Sequence, residues 1–353
     1  MLNYSSYSVF LHYNIVRGLC WSLGLVSLPC NIIIIAELLL LNYHKSKTIF
    51  TKYLIVNNRY RLLISRNPSI FLLFNLSLGD LVSSLYLVIL AISDSSYTNH
   101  YRNKYGPYPN YSSIENEWII SPTCTMERIL SQLSLVISIS MTFIVAVDRY
   151  ILVVFPHSRR KITIKDARVV ATIFWLLGFI VAFTIGLLSA HGATVHHSTR
   201  FDILGQFCNT DSSKGFMVLA VLYIELFLGF SMHTTSMILY IIICMKLKQS
   251  RSLFKSNSSS RIEKRVSLIL ASVVFTNVFT YLPIMIFSIL GQFIPNYKPE
   301  ETDLFPTLVL LLYLNAAVNP VLFMVLSANF ESKRRGVAPS SDIVTSRGRL
   351  NTT

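Results

Sequence analysis

Seven long apolar blocks constrain this sequence more than any other feature. Each block holds about twenty or more residues with almost no charge, which is the length a helix needs to cross roughly 30 Å of hydrocarbon. Only 14% of the 353 residues are charged, whereas about a quarter are charged in a typical soluble domain. We therefore predict an all-α membrane protein, a bundle of seven transmembrane helices, with spans near 19–41, 69–93, 123–155, 168–190, 216–245, 264–290 and 304–327.

Basic residues predict the orientation of the chain in the membrane. Lys and Arg collect after the first, third and fifth blocks and in the tail, while most acidic residues lie on the opposite side. Because cytoplasmic loops carry the excess of positive charge, we expect a multi-pass plasma-membrane protein with its N-terminus outside and its C-terminus inside. This placement accounts for the net charge of +14, so we predict no nucleic-acid partner.

The predicted organisation has three parts. Residues 1–18 form an extracellular N-terminus, residues 19–327 form the seven-helix domain, and residues 328–353 form a cytoplasmic tail. The tail opens with 329–335, where one Phe and several cations indicate a short amphipathic eighth helix lying on membrane lipid. The sequons at Asn3 and Asn110 fall on the external side, which makes both residues candidate glycosylation sites.

Charged residues inside the blocks are candidates for the functional site, because an isolated charge in a membrane costs at least a few kcal/mol. The third block ends in Asp148, Arg149 and Tyr150, at its cytoplasmic end. Asp80 lies in the middle of the second block. A carboxyl at that depth must be protonated, or must pair with a cation or with polar neighbours.

The spacing of these residues resembles that of the rhodopsin-like G-protein-coupled receptors. Cys124 stands 25 residues before Arg149, and Glu263 stands 20 residues before Pro283. That family carries a cysteine and an Asp-Arg-Tyr arginine in helix three, and an acid before a kinking proline in helix six, at these separations. The resemblance covers nearly the whole chain, and the further matching positions are Asn31, Asn75, Leu76, Ser77, Leu78, Gly79, Asp80, Trp175, Asn315, Asn319 and Pro320.

Within that family the sequence looks like the hormone receptors that contain leucine-rich repeats, with the relaxin receptors as the nearest branch. The segments that carry this likeness are 154–156, 275–277, 282–283 and 315–320. That branch has a large repeat-bearing ectodomain before its first helix, where this sequence has residues 1–18. Three positions depart from the family, which would have Asp at Asn277, Trp at Tyr281 and Tyr at Phe323.

The resemblance implies a receptor that passes an extracellular signal, expected to be a peptide hormone, to a heterotrimeric G protein. Arg149 and Glu263 would form an ionic lock that holds helices three and six closed at their cytoplasmic ends. Pro283 is then either the hinge about which helix six swings or a static kink, and Pro320 has the same two readings. The expected switch residues are Asn277, Tyr281, Pro283, Asn315, Asn319, Pro320 and Phe323.

The same resemblance implies a polar pocket and a disulfide. Ser138, Asn315 and Asn319 would surround Asp80 and hold a sodium ion in the closed state, the alternative being a neutral carboxyl that is hydrogen-bonded. A bond between Cys124 and Cys208 would pin the second external loop over helix three, the alternative being two free thiols.

Other function classes find less support. A transporter would show paired repeats with short, interrupted spans, which this sequence lacks. The sequence has no HExxH motif, no phosphate-binding glycine loop and no nucleophile with a recognisable base, so we predict neither enzymatic activity nor an organic cofactor. Within the receptor reading, the alternative is a non-signalling or constitutively active relic, or a fragment without its ectodomain.

Overall fold

Long α-helices make up almost all of the described chain. The computed structural model describes residues 14–40, 67–105, 117–156, 161–192, 207–208, 216–250, 258–293 and 305–323. In chain order the helices are α1 (Asn14–Leu40), α2 (Pro68–Tyr105), α3 (Pro122–Val154), α4 (Ile164–Gly192), α5 (Phe216–Ser250), α6 (Ser258–Phe293) and α7 (Phe305–Leu311). After a turn at 312–313, helical residues 314–323 continue α7, and we call Phe305–Phe323 the seventh span.

The helices agree with the predicted membrane bundle. Six of them are long and apolar enough to cross a membrane, and α6 adds the apolar stretch Ala271–Phe287, counting only residues that the structure describes. Residues 14–18, expected in the N-terminal segment, belong instead to α1. The sequons at Asn3 and Asn110 and the amphipathic helix expected in 328–353 lie outside the described residues.

The end of α2 differs most from the prediction. The apolar block ends near residue 93, but α2 continues to Tyr105, about three turns further. Hydropathy cannot detect this extension because 94–105 is mainly polar. The rings of Tyr97 and Trp118 pack with centroids 4.9 Å apart, and Tyr101 and Trp118 are both buried. The extension is therefore stabilised by aromatic packing against the residues that precede α3.

Local signals explain where α2 and α3 begin. Asn67 Oδ1 accepts a hydrogen bond from the backbone N–H of Ser69 at 3.0 Å, and Ser121 Oγ accepts one from Cys124 at 3.1 Å. In each helix proline occupies the first position, where its missing N–H is not needed. Capping side chains satisfy donors that the first turn leaves unpaired, so both starts are encoded locally.

Helix α3 lies at the centre of the bundle, where it contacts α2, α4, α5 and α6. Small residues bring its neighbours close. A Cβ at Gly79 of α2 would lie 2.8 Å from Ile137 Cγ2, and one at Gly186 of α4 would lie 2.6 Å from Ile129 Cγ1. Such close approach is typical of helices that pack inside a membrane, where small residues line the interfaces.

The outer surfaces of α4, α5 and α6 are apolar. Ile180, Phe227 and Phe279 expose 62%, 71% and 70% of their surface. Exposed apolar faces of this extent are costly in water and normal against lipid. The surface of the bundle thus agrees with the membrane location that the sequence predicts.

Candidate functional site

Polar side chains from α2, α3 and the seventh span meet in the middle of the bundle. Asp80 is 2% exposed, and Asn319 Nδ2 donates a hydrogen bond to its Oδ2 at 2.9 Å. A Cβ at Gly79 would lie 3.6 Å from the backbone N of Ser138, so α3 passes directly beside this carboxyl. The structure therefore places Asp80, Ser138 and Asn319 at one level of the bundle.

The oxygen atoms at this level suit a small cation. Hard cations prefer oxygen ligands, and buried oxygens without partners are costly. In this polar group, four buried oxygens have no hydrogen-bond partner in the described chain: Asp80 Oδ1, Ser138 Oγ, Asn315 Oδ1 and Asn319 Oδ1. These four oxygens fit a sodium ion that is held mainly by the carboxyl of Asp80. The predicted sodium site therefore stays a proposal.

A chain of hydrogen bonds leads from this level to α6 and back to α3. Asn315 Nδ2 donates to Thr280 Oγ1 at 2.9 Å, and Thr280 Oγ1 donates to the carbonyl of Asn277 at 2.9 Å. Asn277 Nδ2 then donates to Thr142 Oγ1 at 2.7 Å. An ionised Asp, which the family resemblance would place at 277, accepts hydrogen bonds but donates none. Asn277, which stands where the family would have Asp, can therefore donate this hydrogen bond to Thr142, whereas an ionised Asp could not.

Tyr281, the second departure, packs against α5. Its ring centroid lies 4.6 Å from that of His233, and both residues are buried, at 4% and 5% exposure. Sequence reasoning did not select His233, because a single histidine in an apolar block is most often a core residue. The pair forms an aromatic contact between α5 and α6, and Tyr281 lies two residues before Pro283, which is inside α6.

The seventh span is interrupted before Asn315. Tyr313 N donates to Leu310 O at 3.1 Å, and Ala316 N donates to Tyr313 O at 3.1 Å, so three-residue spacing replaces the α-helical spacing. Tight turns of this kind inside a helix often mark functional hinges. Two further predicted switch residues, Pro320 and Phe323, are buried in the continuation 314–323. The sequence predicted a kink at Pro320 and did not predict the turn.

The opposite end of α3 carries the predicted coupling residues, and we call it the arginine end. Arg149 Nε lies 3.8 Å from Asp148 Oδ2, with 11% and 3% of the two side chains exposed. Ser69 Oγ of α2 donates to the same carboxylate oxygen at 2.6 Å. The ring of Tyr150 packs edge-on against Phe155, with centroids 5.8 Å apart. Asp148 is therefore fixed by α2 while it pairs with Arg149.

The predicted ionic lock falls partly outside the described residues. Glu263 belongs to α6, but its side chain lies outside the described part of the chain. The pairing of Arg149 with Glu263 therefore stays a prediction.

A disulfide joins Cys124 at the start of α3 to Cys208, as predicted, and we call this end of the bundle the disulfide end. Cys208 adopts a φ of 49°, a conformation that L side chains rarely occupy. Phe207 and Cys208 are completely buried. Phe207 and Cys208, which precede α5, are therefore packed against the bundle at this position.

Tyrosines connect that segment to the seventh span. Tyr86 OH donates to the carbonyl of Phe207 at 2.8 Å, and its ring centroid lies 4.7 Å from that of Tyr313. The hydroxyls of Tyr313 and Ser131 lie 2.6 Å apart. Tyr313, at the interruption of the seventh span, thus contacts α2 and α3 together.

Comparison with known proteins decides what kind of bundle this is. Residues 53–323 match the family described as "7 transmembrane receptor (rhodopsin family)", which is more than half of the chain. The chain belongs to the rhodopsin family. The predicted seven-helix fold is thereby confirmed, and a rhodopsin-family chain is a receptor and not an enzyme, as the sequence also predicted.

Individual relatives of this rhodopsin-family chain are distant. "G-protein coupled receptor GRL101" from Lymnaea stagnalis is 24% identical, over 74% of this chain and 22% of its own length. "Somatostatin receptor type 2" from Mus musculus is 25% identical over 57% of this chain and 54% of its own length. "Relaxin receptor 2" from Homo sapiens is 21% identical over 72% of this chain and 32% of its own length. The chain therefore spans about a fifth to a half of the length of these relatives. Their similar identities leave the relaxin-receptor branch a proposal.

Proposed function

We propose that this rhodopsin-family chain is a plasma-membrane receptor that transmits an extracellular peptide-hormone signal to a heterotrimeric G protein. One relative is named as a G-protein coupled receptor, and two others as receptors for somatostatin and relaxin. These names support both the G protein and the hormone as partners. The positive charge collected after the first, third and fifth spans supports a cytoplasmic position for the arginine end.

The observation that carries the proposal is the arrangement at Arg149. Its guanidinium is largely buried, and it pairs with an Asp148 that is itself tied to α2 by Ser69. Partly buried charge at the end of a membrane span is costly unless it is paired, so this arrangement favours a functional role over simple contact with the interface. In the closed state Arg149 would also pair with Glu263 of α6.

Signalling then follows from a shift between two populations. A ligand at the disulfide end stabilises the open state if it binds that state more tightly than the closed one. In the open state the end of α6 that carries Glu263 moves away, and Arg149 donates hydrogen bonds to carbonyl groups of the G protein. Pro283 supplies the bend for this movement, since it removes one backbone hydrogen bond inside α6.

The hydrogen-bonded path through the bundle links the two ends. Asn277 of α6 is held to Thr142 of α3, so swinging α6 requires this contact to break or to change partner. Asn315 joins the same path from the seventh span through Thr280. A change in the seventh span at the disulfide end can therefore reach α6 by direct contacts.

The test is a panel of G-protein dissociation reporters in cells that express the chain. Glu263→Ala should raise basal signalling several-fold, because the lock is lost, and Arg149→Ala should abolish signalling at equal surface expression. Lys165→Ala is the matched control, since this exposed basic residue lies at the same end in α4 and should change nothing.

Two results would contradict the proposal. Unchanged basal signalling in Glu263→Ala would remove the lock from the mechanism. Silence of the wild type and of Glu263→Ala with every G protein would instead favour a non-signalling relic, or a fragment of a longer receptor.

A further inference from the structure

A histidine and a glutamate meet on the outer surface of the disulfide end, away from the path between Asp80 and Thr142. His100 and Lys104 lie on the polar extension of α2, and Glu117 precedes α3. His100 Nε2 lies 3.8 Å from Glu117 Oε1, and Lys104 Nζ lies 2.7 Å from Glu117 Oε2. We call His100 and Glu117 the histidine-glutamate pair.

The pair can be reached by an ion from the surroundings. The side chains of His100 and Glu117 are 57% and 36% exposed. Both residues lie at the end of the bundle opposite to the basic residues, which is the outer end by the positive-inside rule. A dissolved ion therefore reaches the pair without any opening of the bundle.

Aromatic packing holds the two side chains near each other. The ring centroid of His100 lies 5.4 Å from that of Tyr101 and 6.4 Å from that of Tyr97, both edge-on. Tyr97 packs in turn against Trp118, the residue that follows Glu117, with centroids 4.9 Å apart. The imidazole and the carboxylate are thus attached to one aromatic cluster, which sets their separation before any ligand binds.

The atoms and the spacing of the pair suit zinc. Zinc binds imidazole nitrogen and carboxylate oxygen at about 2.0–2.2 Å, so two ligands of a tetrahedral zinc lie about 3.4 Å apart. The 3.8 Å between His100 Nε2 and Glu117 Oε1 exceeds this by ~0.4 Å, which small side-chain rotations supply. Magnesium and calcium prefer oxygen ligands alone, so the imidazole favours zinc over both.

We propose that His100 and Glu117 form a zinc site with two protein ligands, in which water completes the coordination. The metal bridges the extension of α2 and the residue that precedes α3, and so it holds these two segments together. Lys104 pairs with the other carboxylate oxygen, and the repulsion between its ammonium and the metal limits the affinity. The inference goes beyond the receptor function and does not depend on it.

Thermal unfolding of the purified full chain, prepared without a polyhistidine tag, tests the site. At about ten times its Kd, zinc chloride should raise the unfolding temperature of the wild type by about 2–4 °C, because the metal binds the folded extension. Magnesium chloride at the same concentration should not. His100→Phe keeps an aromatic ring and removes the nitrogen ligand, and Glu117→Gln keeps the shape and removes the charge. Each should abolish the zinc shift.

Lys104→His tests the same site by a gain of affinity. Residues 100 and 104 are four apart on α2 and share one face of the helix, and two histidines at this spacing commonly bind zinc together. The substitution adds a third ligand and removes the ammonium from Glu117. The zinc concentration that gives half of the shift should therefore fall by at least about tenfold.

Several outcomes overturn the inference. These are no zinc shift in the wild type, an equal shift with magnesium, an undiminished shift in His100→Phe or Glu117→Gln, or an unchanged affinity in Lys104→His. Loss of the shift in the double variant His196→Gln and His197→Gln would place the metal at those adjacent histidines instead. Since unfolding does not involve a G protein, failure here leaves the reporter assay of Arg149→Ala and Glu263→Ala unaffected.

Discussion

Several buried polar side chains in this bundle connect two helices through a hydrogen bond and leave another polar atom without a partner. Asp80 accepts a hydrogen bond from Asn319 through one oxygen and keeps the other without a partner, and Asn277 ties α6 to α3 through its amide nitrogen. Sequence reasoning identified Asp80 because a carboxyl is conspicuous inside an apolar block, and it identified Ser138, Asn315 and Asn319 through the resemblance to the receptor family. It did not identify Thr142, Thr280 or Ser69, since threonine and serine are common in spans and usually bond to their own helix.

The unpartnered oxygens around Asp80 predict a dependence on sodium. For the wild type, replacing choline chloride by sodium chloride should raise the unfolding temperature of the purified chain by about 2–4 °C at ten times the Kd, because the ion binds only the folded bundle. Asp80→Asn should remove this difference. Glu117→Gln is the control, as it neutralises a carboxylate that is partly exposed at the disulfide end.

Equal sodium responses of Asp80→Asn and the wild type would favour the other reading of Asp80, a neutral carboxyl held by hydrogen bonds. The Glu117→Gln control guards against a general effect of salt on exposed charge, which is screened at moderate ionic strength.

Whole helices were easier to predict than their ends and interruptions. The period and length of the apolar blocks fix seven helices, because lipid leaves backbone groups no partner outside the helix. The polar extension of α2 escaped this criterion, as did the turn at Leu312 and Tyr313, where neither glycine nor proline marks a break. Both features depend on tertiary contacts, those of Trp118 with α2 and those of Tyr313 with α2 and α3.

The crossing of α2 and α3 predicts the effect of adding one methyl group. In Gly79→Ala the new Cβ would meet Ile137 Cγ2 at 2.8 Å and approach the α3 backbone, so the helices must separate. We expect a loss of about 1–3 kcal/mol in the free energy of unfolding, seen as a fall of about 2–6 °C in unfolding temperature. Gly18→Ala in α1 is the control, because nothing lies within 4 Å of its added Cβ.

A result in which both glycine variants unfold at the wild-type temperature would show that α2 and α3 adjust without cost. Alanine forms helices better than glycine, so Gly18→Ala should not lower the unfolding temperature. A fall as large as that for Gly79→Ala would therefore show that the purified variants are damaged in some general way.

For the whole molecule, the two ends of the bundle carry different sets of residues. The disulfide end holds the buried carboxyls of Asp94 and Glu127 and the aromatic contacts of Trp118, while the arginine end holds Asp148 and Arg149. Sequence spacing could predict the membership of each end, because a span brings residues about twenty apart to opposite faces. It could not predict partners within an end, such as Arg17 with Asp94, because these depend on which helices are neighbours.

The orientation of the whole chain can be checked by labelling introduced cysteines on cells. Asn103→Cys, in the exposed part of the α2 extension, should react with a membrane-impermeant maleimide on intact cells. Lys165→Cys, exposed at the arginine end, should react only after permeabilisation. The unmodified chain controls for reaction of its own Cys244, which is exposed on α5.

The reverse labelling pattern would invert the topology and place the disulfide end on the cytoplasmic side. It would exclude both the hormone-binding and the G-protein-coupling roles as we assign them.

The extra turns of α2 have a practical consequence. Residues between Asp94 and Tyr105 keep a helical shape, with alternating pairs such as Asn99 and His100 turned outward and Tyr97 and Tyr101 turned inward. A surface of this kind is a conformational epitope, recognised in the intact molecule and lost in a linear peptide. Nanobodies selected on folded material should favour it, and one bound there would give a small particle a marker for alignment in electron microscopy.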